Sequence, residues 1–358
     1  MRNRGHMAIS VGIVGAAGFA GIELVRLVLR HSPFDLMAVT STELSGRRLD
    51  EAYPAFAGQC DLAFSPHDAD DLQSCDVVFL AVPHTAALTF APALIARGAT
   101  VIDLSADFRL KDPAIYEEWY RVPHTEPELL ARAAFGLPEL FGEELAALAQ
   151  RRSAGEGVLV ACAGCYPTAT SLAAAPVLRA GLSPAGLVVV DAVSGVTGAG
   201  RKATERTHFC FANEGVEAYG VGAHRHTPEI EQILGLEGRL IFTPHLAPYN
   251  RGLLSTVTMP VTRGAFDQAE LAEMYRSFFK DAPFVTVLPE GRQPRTVSVA
   301  GTNYAHVSAC YNERAGAVVA TCAIDNIGKG AAGQAVQCAN IVCGLPETCG
   351  LDAVALPI

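Results

Sequence analysis

The chain has 358 residues, 37 acidic and 27 basic, for a formal net charge of −10, and half of its residues are hydrophobic. Only 18% are charged, and that balance excludes disorder, collagen or coiled coil as the main state while supplying apolar surface for a core. The acidic excess argues against a nucleic-acid partner, which needs a basic face, and no apolar run approaches the roughly 20 residues of a membrane span. A soluble protein of two domains is expected.

The first residues, MRNRGHMAIS, carry basic side chains with no apolar stretch behind them, so they do not read as a secretory signal. Gly5-His6-Met7 reads as an expression scar, with Met7 nearer the natural start. Ten cysteines without a signal point to the cytoplasm. AISVGIVG reads as a short strand, GAAGFAG as a turn and IELVRLVLRH as a helix with apolar residues at helical spacing. FDLMAVTS and CDVVFLAV read as strands, AALTFAPALIARG as a helix and ATVIDLS as a further strand. This alternation predicts a doubly wound parallel sheet of Rossmann type. The stretch from Lys111 to Pro127 reads as a surface excursion, and EELAALAQRRSAGEG as a linker before the strand VLVAC. From about residue 166 the strand-like runs GLVVVDAVSG, GRLIFTPHL, LLSTVTMPV and GAVVATCAID outnumber helices, which predicts an α+β domain with a mixed or antiparallel sheet. KGAAGQAVQCANIVCG reads as a closing helix.

Gly15-Ala16-Ala17-Gly18-Phe19-Ala20-Gly21 stands between a strand and a helix, where a glycine-rich turn lets a pyrophosphate approach backbone amides. Its GxxGxxG spacing differs from the commoner GxGxxG. The second strand runs out at Thr40-Ser41-Thr42, with Glu43 past it and Arg47-Arg48 shortly after. Hydroxyls and guanidinium groups, in place of an acidic residue at the strand end, suit the 2′-phosphate of NADP. Arg109, in Asp103-Leu-Ser105-Ala-Asp107-Phe-Arg109, is either an anion clamp or an ion-pair partner of Asp107.

Cys165 lies after a strand and immediately before TATSLAAAPVLRAG, a good helix with Pro167 tolerated in its first turn. A thiol at a helix N-terminus is made more nucleophilic by the free amides there. Cys162 completes one CxxC and reads as the buried end of a strand; no second CxxC completes a zinc site, so no metal is expected. Cys60, Cys75, Cys310, Cys322 and Cys338 read as small core residues. His224-Arg225-His226-Thr227-Pro228-Glu229 places two histidines before a helix with Thr227 as its cap, suited to acid–base work. Ser194 to Lys202, with Arg201, is a glycine-rich, basic-ended loop of the kind that contacts a ligand.

The strings GAAGFAGIELVRL, DLSADFRL, GLPEL, AGCYPTA, SGVTGAGRKA, HRHTPEI, FTPHLAPYNRG and DNIGKGAAGQAVQCAN run in order from about residue 10 to 345. In them the chain resembles the N-acetyl-γ-glutamyl-phosphate reductases, NADPH-dependent enzymes of arginine biosynthesis. Many members read Asn-Pro-Gly-Cys where this chain has Cys162-Ala163-Gly164-Cys165. The resemblance implies a Rossmann domain over 8–160, completed by a C-terminal helix at 330–350, and an α+β catalytic and dimerisation domain over 161–329. This arrangement is similar to that of glyceraldehyde-3-phosphate and aspartate-semialdehyde dehydrogenases, in homodimers or homotetramers. It implies Cys165 as the nucleophile that forms a thioacyl enzyme, His226 as its acid–base partner and Glu229 as the residue orienting His226. Arg109 is implied to contact the phosphate, with Arg201 the next candidate and His224 beside the substrate. The rival readings are reduction of an aminoadipyl-type acyl phosphate and a dinucleotide-binding regulator without turnover.

Overall fold

Short apolar runs in the first half of the chain pair side by side in one direction. The structure, a computed structural model, describes residues 8–184, 186–264 and 266–356, so the Gly5-His6-Met7 triplet lies outside the described residues. Strands β1 (Ile9–Val14), β2 (Phe34–Val39), β3 (Val77–Leu80), β4 (Thr100–Asp103), β5 (Ala134–Gly136) and β6 (Val158–Cys162) form a parallel sheet in the order β2-β1-β3-β4-β6-β5. β3, β4 and β6 are buried along their whole length, as the middle of a parallel sheet with both faces covered requires. The longer helices of this part are α1 (Phe19–Arg30), α2 (Ala87–Ala96), α3 (Pro113–Tyr120) and α4 (Pro138–Ser153).

The second half builds a mixed sheet of seven strands, β7 (Val188–Gly195), β8 (Glu217–Ala218), β9 (Leu240–Ala247), β10 (Leu253–Pro260), β11 (Val285–Val287), β12 (Ala305–Asn312) and β13 (Ala317–Ile324), in the order β11-β12-β13-β10-β7-β9-β8. β10 alternates: Leu253, Ser255, Val257 and Met259 are buried, while Leu254, Thr256 and Thr258 between them are half-exposed. The inward face packs on α5 (Cys165–Arg179), whose residues from Tyr166 to Val177 are all buried; alanines at 169 and 173–175 let it lie close to β10 and β13. Two further helices of eight residues or more follow, α6 (Thr227–Leu234) and α7 (Gln268–Phe278), the latter opened by a reciprocal Asp267–Glu270 capping box. The last helix, α8 (Gly333–Val342), packs on α4. The chain divides into two compact units, one running through Ala163 and resuming at Ala331–Asp352, the other spanning Gly164–Gly330 with the final residues. No described helix is long and apolar enough to cross a membrane.

Three local readings are corrected. The excursion from Lys111 to Pro127 contains α3, started by the Asp112 carboxylate accepting the Ala114 N–H at 2.8 Å and by Pro113 in its first turn. Only one of its residues, Tyr116, is fully buried. The expected linker is the second half of α4, with Leu145 and Leu148 in the core. Among the cysteines, Cys75, Cys322 and Cys338 are buried, but Cys60 is half-buried and Cys310 is exposed near the end of β12.

Between β3 and α2 the backbone turns left-handed at Thr85, with φ +78°. A β-branched residue rarely adopts that conformation, and such positions cost about 1–3 kcal/mol. The Asp107 carboxylate accepts the N–H groups of Thr85 at 2.6 Å and Ala87 at 2.9 Å, and so holds the turn. Thr85→Gly should therefore raise stability by about 1 kcal/mol, read as a higher urea midpoint at unchanged slope. A lower midpoint would show that the turn stores no relievable strain.

Candidate functional site

In the first unit, the glycine-rich segment folds as a one-turn bridge from β1 into α1. Gly15 is left-handed at φ +78°, and a side chain on Gly21 would strike the Gly15 carbonyl. The first three residues of α1 are Phe19, Ala20 and Gly21, preceded by Gly18, which offers no side-chain cap. Their amides are left for an anion at the positive end of the helix. Ala16 N–H donates to Thr40 O at 3.0 Å and the Tyr53 hydroxyl to Ala17 O at 2.7 Å, so the turn, the end of β2 and the segment after it are tied together. This cradle fits a nicotinamide dinucleotide.

The two arginines behind Ser41 differ. Arg48 forms ion pairs with Asp50 at 2.9 Å and Asp61 at 3.1 Å, and the Arg48 guanidinium in turn holds the Asp50 carboxyl below the usual carboxylate range. A phosphate there would compete with two carboxylates. Arg47 donates to the Glu51 carbonyl at 3.0 Å, and Ser41 Oγ accepts the Leu44 N–H at 3.3 Å.

Arg109 is 5% exposed. Its Nε donates to Cys162 O and a terminal nitrogen to Leu104 O, both at 2.7 Å. The guanidinium is thus built into the loops after β4 and β6 and does not stand open as an anion clamp. Its field also acts on Asp103: burial, then the Asp107 charge, pushes that carboxyl up to about 7, against the pull of Ser105 and Arg109.

In the second unit, Cys165 is the first residue of α5, and Gly164 before it again offers no side-chain cap. The Gly164 N–H donates to the buried carboxylate of Glu229 at 2.8 Å. Glu229 sits in the first turn of α6, so this bond ties the start of α6 to the start of α5. His226, and not Thr227, caps α6; its N–H donates to His224 Nδ1 at 3.1 Å. That bond leaves the proton of neutral His224 on Nε2. Both imidazoles lie edge-on to Tyr166, at 5.7 Å for His224 and 6.0 Å for His226, and 4.9 Å from each other. His224 and His226 thus lie against the ring of Tyr166, the residue after Cys165, while Glu229 is bonded to the amide of Gly164, the residue before it.

Tyr166 and Tyr219 carry signals that the sequence reading missed. The Tyr166 hydroxyl donates to His245 O at 3.0 Å and accepts from the Tyr219 hydroxyl at 3.1 Å. Burial pushes the Tyr166 phenol far above its ordinary range, so it stays a donor. A cavity of about 360 Å³ in this unit is walled by Val196, Arg206, Phe211, Glu217 and Leu246, with Arg206 paired to Glu217 and 5.3 Å from the Tyr219 ring. Arg201 is exposed just past Gly200. Among the described residues no group of three or more His, Cys, Asp or Glu could hold a metal ion.

Burial, and then the Arg225 charge, lowers His224 to about 4. The unfolded chain protonates this histidine near pH 6.5 and the folded chain only near 4, so its stabilisation is complete above pH 6.5 and is lost as the pH falls toward 4. His224→Gln should flatten the acid side of the stability profile between those limits. An unchanged slope in urea melts across that window would assign the acid loss to other groups.

Two family models match the chain: the semialdehyde dehydrogenase NAD binding domain over residues 10–148 and the semialdehyde dehydrogenase dimerisation domain over residues 165–326. The N-acetyl-gamma-glutamyl-phosphate reductase of Desulforudis audaxviator is 47% identical over 350 residues, covering 96% of this chain and 98% of that one. The enzyme of the same name from Pelobacter propionicus is 44% identical, covering 97% and 99%. In fold the chain is similar to aspartate semialdehyde dehydrogenase II of Vibrio cholerae (TM-score 0.71, 16% identity, covering 94% and 98%) and to the Candida albicans aspartate semialdehyde dehydrogenase with NADP (TM-score 0.70, 16% identity, covering 94% and 98%). The dinucleotide cradle, the thiol at a helix start and these likenesses agree: the chain belongs to the N-acetyl-γ-glutamyl-phosphate reductase family of semialdehyde dehydrogenases, oxidoreductases with a nicotinamide dinucleotide cofactor.

Proposed function

We propose that the chain reduces N-acetyl-γ-glutamyl phosphate to N-acetyl-glutamate 5-semialdehyde with NADPH, releasing phosphate, as a step of arginine biosynthesis in the cytoplasm. The observation that carries this reading is Cys165 at the uncapped start of α5, with Glu229 bonded to the Gly164 amide before it and the two histidines against the ring of Tyr166 after it. The Cys165 thiolate attacks the γ-acyl carbon, the carbon–oxygen bond to phosphate breaks, and a thioester remains on the enzyme. Bound reduced nicotinamide supplies the hydride that takes this thioester to the aldehyde level. His226 accepts the thiol proton before attack and acts as acid–base partner until the aldehyde leaves. Glu229 serves by holding the Gly164 amide and with it the register of the two helix starts. His224, neutral and bonded to the His226 amide, lines the substrate side.

Mass spectrometry of enzyme quenched with acyl phosphate and no dinucleotide should find one acyl adduct, on Cys165. An adduct on Cys162, or none, would overturn the mechanism. Cys165→Ser should abolish turnover, and His226→Asn should slow it by about 10²–10⁴ with folding retained.

Arg47 is the arginine left to recognise a 2′-phosphate, because Arg48 is held by two carboxylates. The exposed Arg201 is the better-placed ligand for the departing phosphate, because two donors of Arg109 are spent on carbonyls. The reverse assay, semialdehyde with phosphate and oxidised dinucleotide, tests both. NADP⁺ should be preferred to NAD⁺, and Arg47→Ala should erode the preference by about 1–3 kcal/mol. Arg201→Leu should raise the phosphate KM more than Arg109→Leu does; the opposite order would return the phosphate to Arg109.

The outward face of the mixed sheet, with Val189, Ile241, Leu254, Thr256 and Val319 and a single charge at Asp191, supports a homodimer or homotetramer that covers it. Sedimentation should give a dimer or tetramer that Thr256→Arg dissociates. A monomeric unmodified chain would remove this face from the reading.

A further inference from the structure

The loop after β13 is more heavily braced than a connection needs. Asp325 is fully buried, and its carboxylate accepts four donors. Oδ1 takes the N–H groups of Ile327 at 2.8 Å and Gly328 at 2.9 Å. Oδ2 takes the Gly301 N–H at 2.6 Å and Arg251 Nε at 2.8 Å. The Asp325 carbonyl accepts the Gly330 N–H at 2.9 Å. Beside it, Asn326 accepts the Gly252 N–H at 2.7 Å and donates to Thr197 Oγ1 at 3.0 Å. Arg251 and Gly252 immediately precede β10, Thr197 follows β7, and Gly301 precedes β12, so the ends of three strands converge on one aspartate–asparagine pair.

What this brace supports is the backbone beside the thiol. From Gly328 to Ala332 the chain makes a π-helical turn, an uncommon geometry concentrated at functional positions. A Cβ on Gly330 would lie 2.7 Å from Cys165 Cβ and 3.2 Å from Cys165 Cα. A Cβ on Gly328 would strike the Thr302 carbonyl. Bare backbone is thus pressed against the first residue of α5 on one side and against the loop before β12 on the other. The turn cannot move without changing the space that Cys165 occupies.

We propose that Arg251 and Asp325 are positioning residues for Cys165: their ion pair fixes the 325–330 turn, and the turn, through Gly330, sets where the thiol stands relative to the acyl carbon. This rests on the reading of Cys165 as the nucleophile. Displacement of a reacting atom by about 1 Å can cost on the order of 10²-fold in rate. Arg251→Gln, which leaves Asp325 its three backbone donors, should lower kcat by about 10–10²-fold with little change in substrate KM, and Arg251→Lys should recover much of the loss. Gly330→Ala should produce the same split with the ion pair intact.

The second readout is iodoacetamide alkylation of Cys165 across pH. Its profile should shift in Arg251→Gln and in Gly330→Ala and return toward normal in Arg251→Lys. A loss of melting temperature with kcat and the alkylation profile unchanged would make the pair merely structural and overturn the proposal. So would an alkylation profile of Gly330→Ala identical to that of the unmodified enzyme. If the unmodified enzyme forms no acyl adduct on Cys165, the nucleophile reading fails instead, while alkylation still reports whether the turn controls the thiol's surroundings.

Discussion

The bond from the Gly164 N–H to the Glu229 carboxylate joins two helix starts that lie 65 residues apart in sequence. A carboxylate buried as Glu229 is must be satisfied, and an N–H at the mouth of a helix has no partner within its own helix, so each answers the other's need. Once that bond is made, the position of α6 follows from that of α5. The two histidines before α6 then fall beside the Tyr166 ring, and His224 takes the next amide in line. The grouping of imidazole and phenol goes with a backbone amide at one helix start being satisfied by a carboxylate from the other.

The same economy appears in the first unit, where side chains satisfy backbone groups of neighbouring loops. Asp107 supplies acceptors to Thr85 and Ala87, His84 Nδ1 accepts the Ala106 N–H at 3.1 Å, and Arg109 donates to Leu104 and Cys162. The loops after β3, β4 and β6 are laced at the carboxyl edge of the parallel sheet, the edge at which open α/β sheets bind ligands. Side-chain clamps give this edge a fixed outline, and the strained Thr85 backbone is tolerated because its N–H has a dedicated acceptor.

What could be read from the amino acids alone were the features written locally. The glycine turn, the strand before Cys165 and the Ala-rich helix after it each carry their signal within about ten residues, and the broad two-part architecture followed from them. The bonds of Arg109 to two carbonyls, one of them 53 residues away, could not be read from the sequence, because carbonyls leave no trace in composition. Helix α3 was hidden because it is short and one buried tyrosine makes too weak a stripe. Strand β12 went unread because Ala305-His-Val-Ser-Ala-Cys-Tyr-Asn312 mixes polar and small residues, and Cys310 turns outward on it. The Asp325 hub depends on glycines 301 and 328 and on Arg251, which only the folded chain assembles.

The return of α8 to the first unit sets an order of events during synthesis. That unit takes its early strands and helices from the first 163 residues, yet α8 is buried along most of its length within it. Gln337 donates to Glu139 at 3.1 Å and Asn340 is 2.8 Å from the buried His31 ring nitrogen, so polar groups made early wait for partners made last. Domains otherwise tend to fold in turn as they leave the ribosome. Here the dinucleotide unit stays incomplete, with the packing surface of α4 bare, until the whole of the second unit has been translated. A nascent chain stalled before Ala331 would therefore present that surface to chaperones.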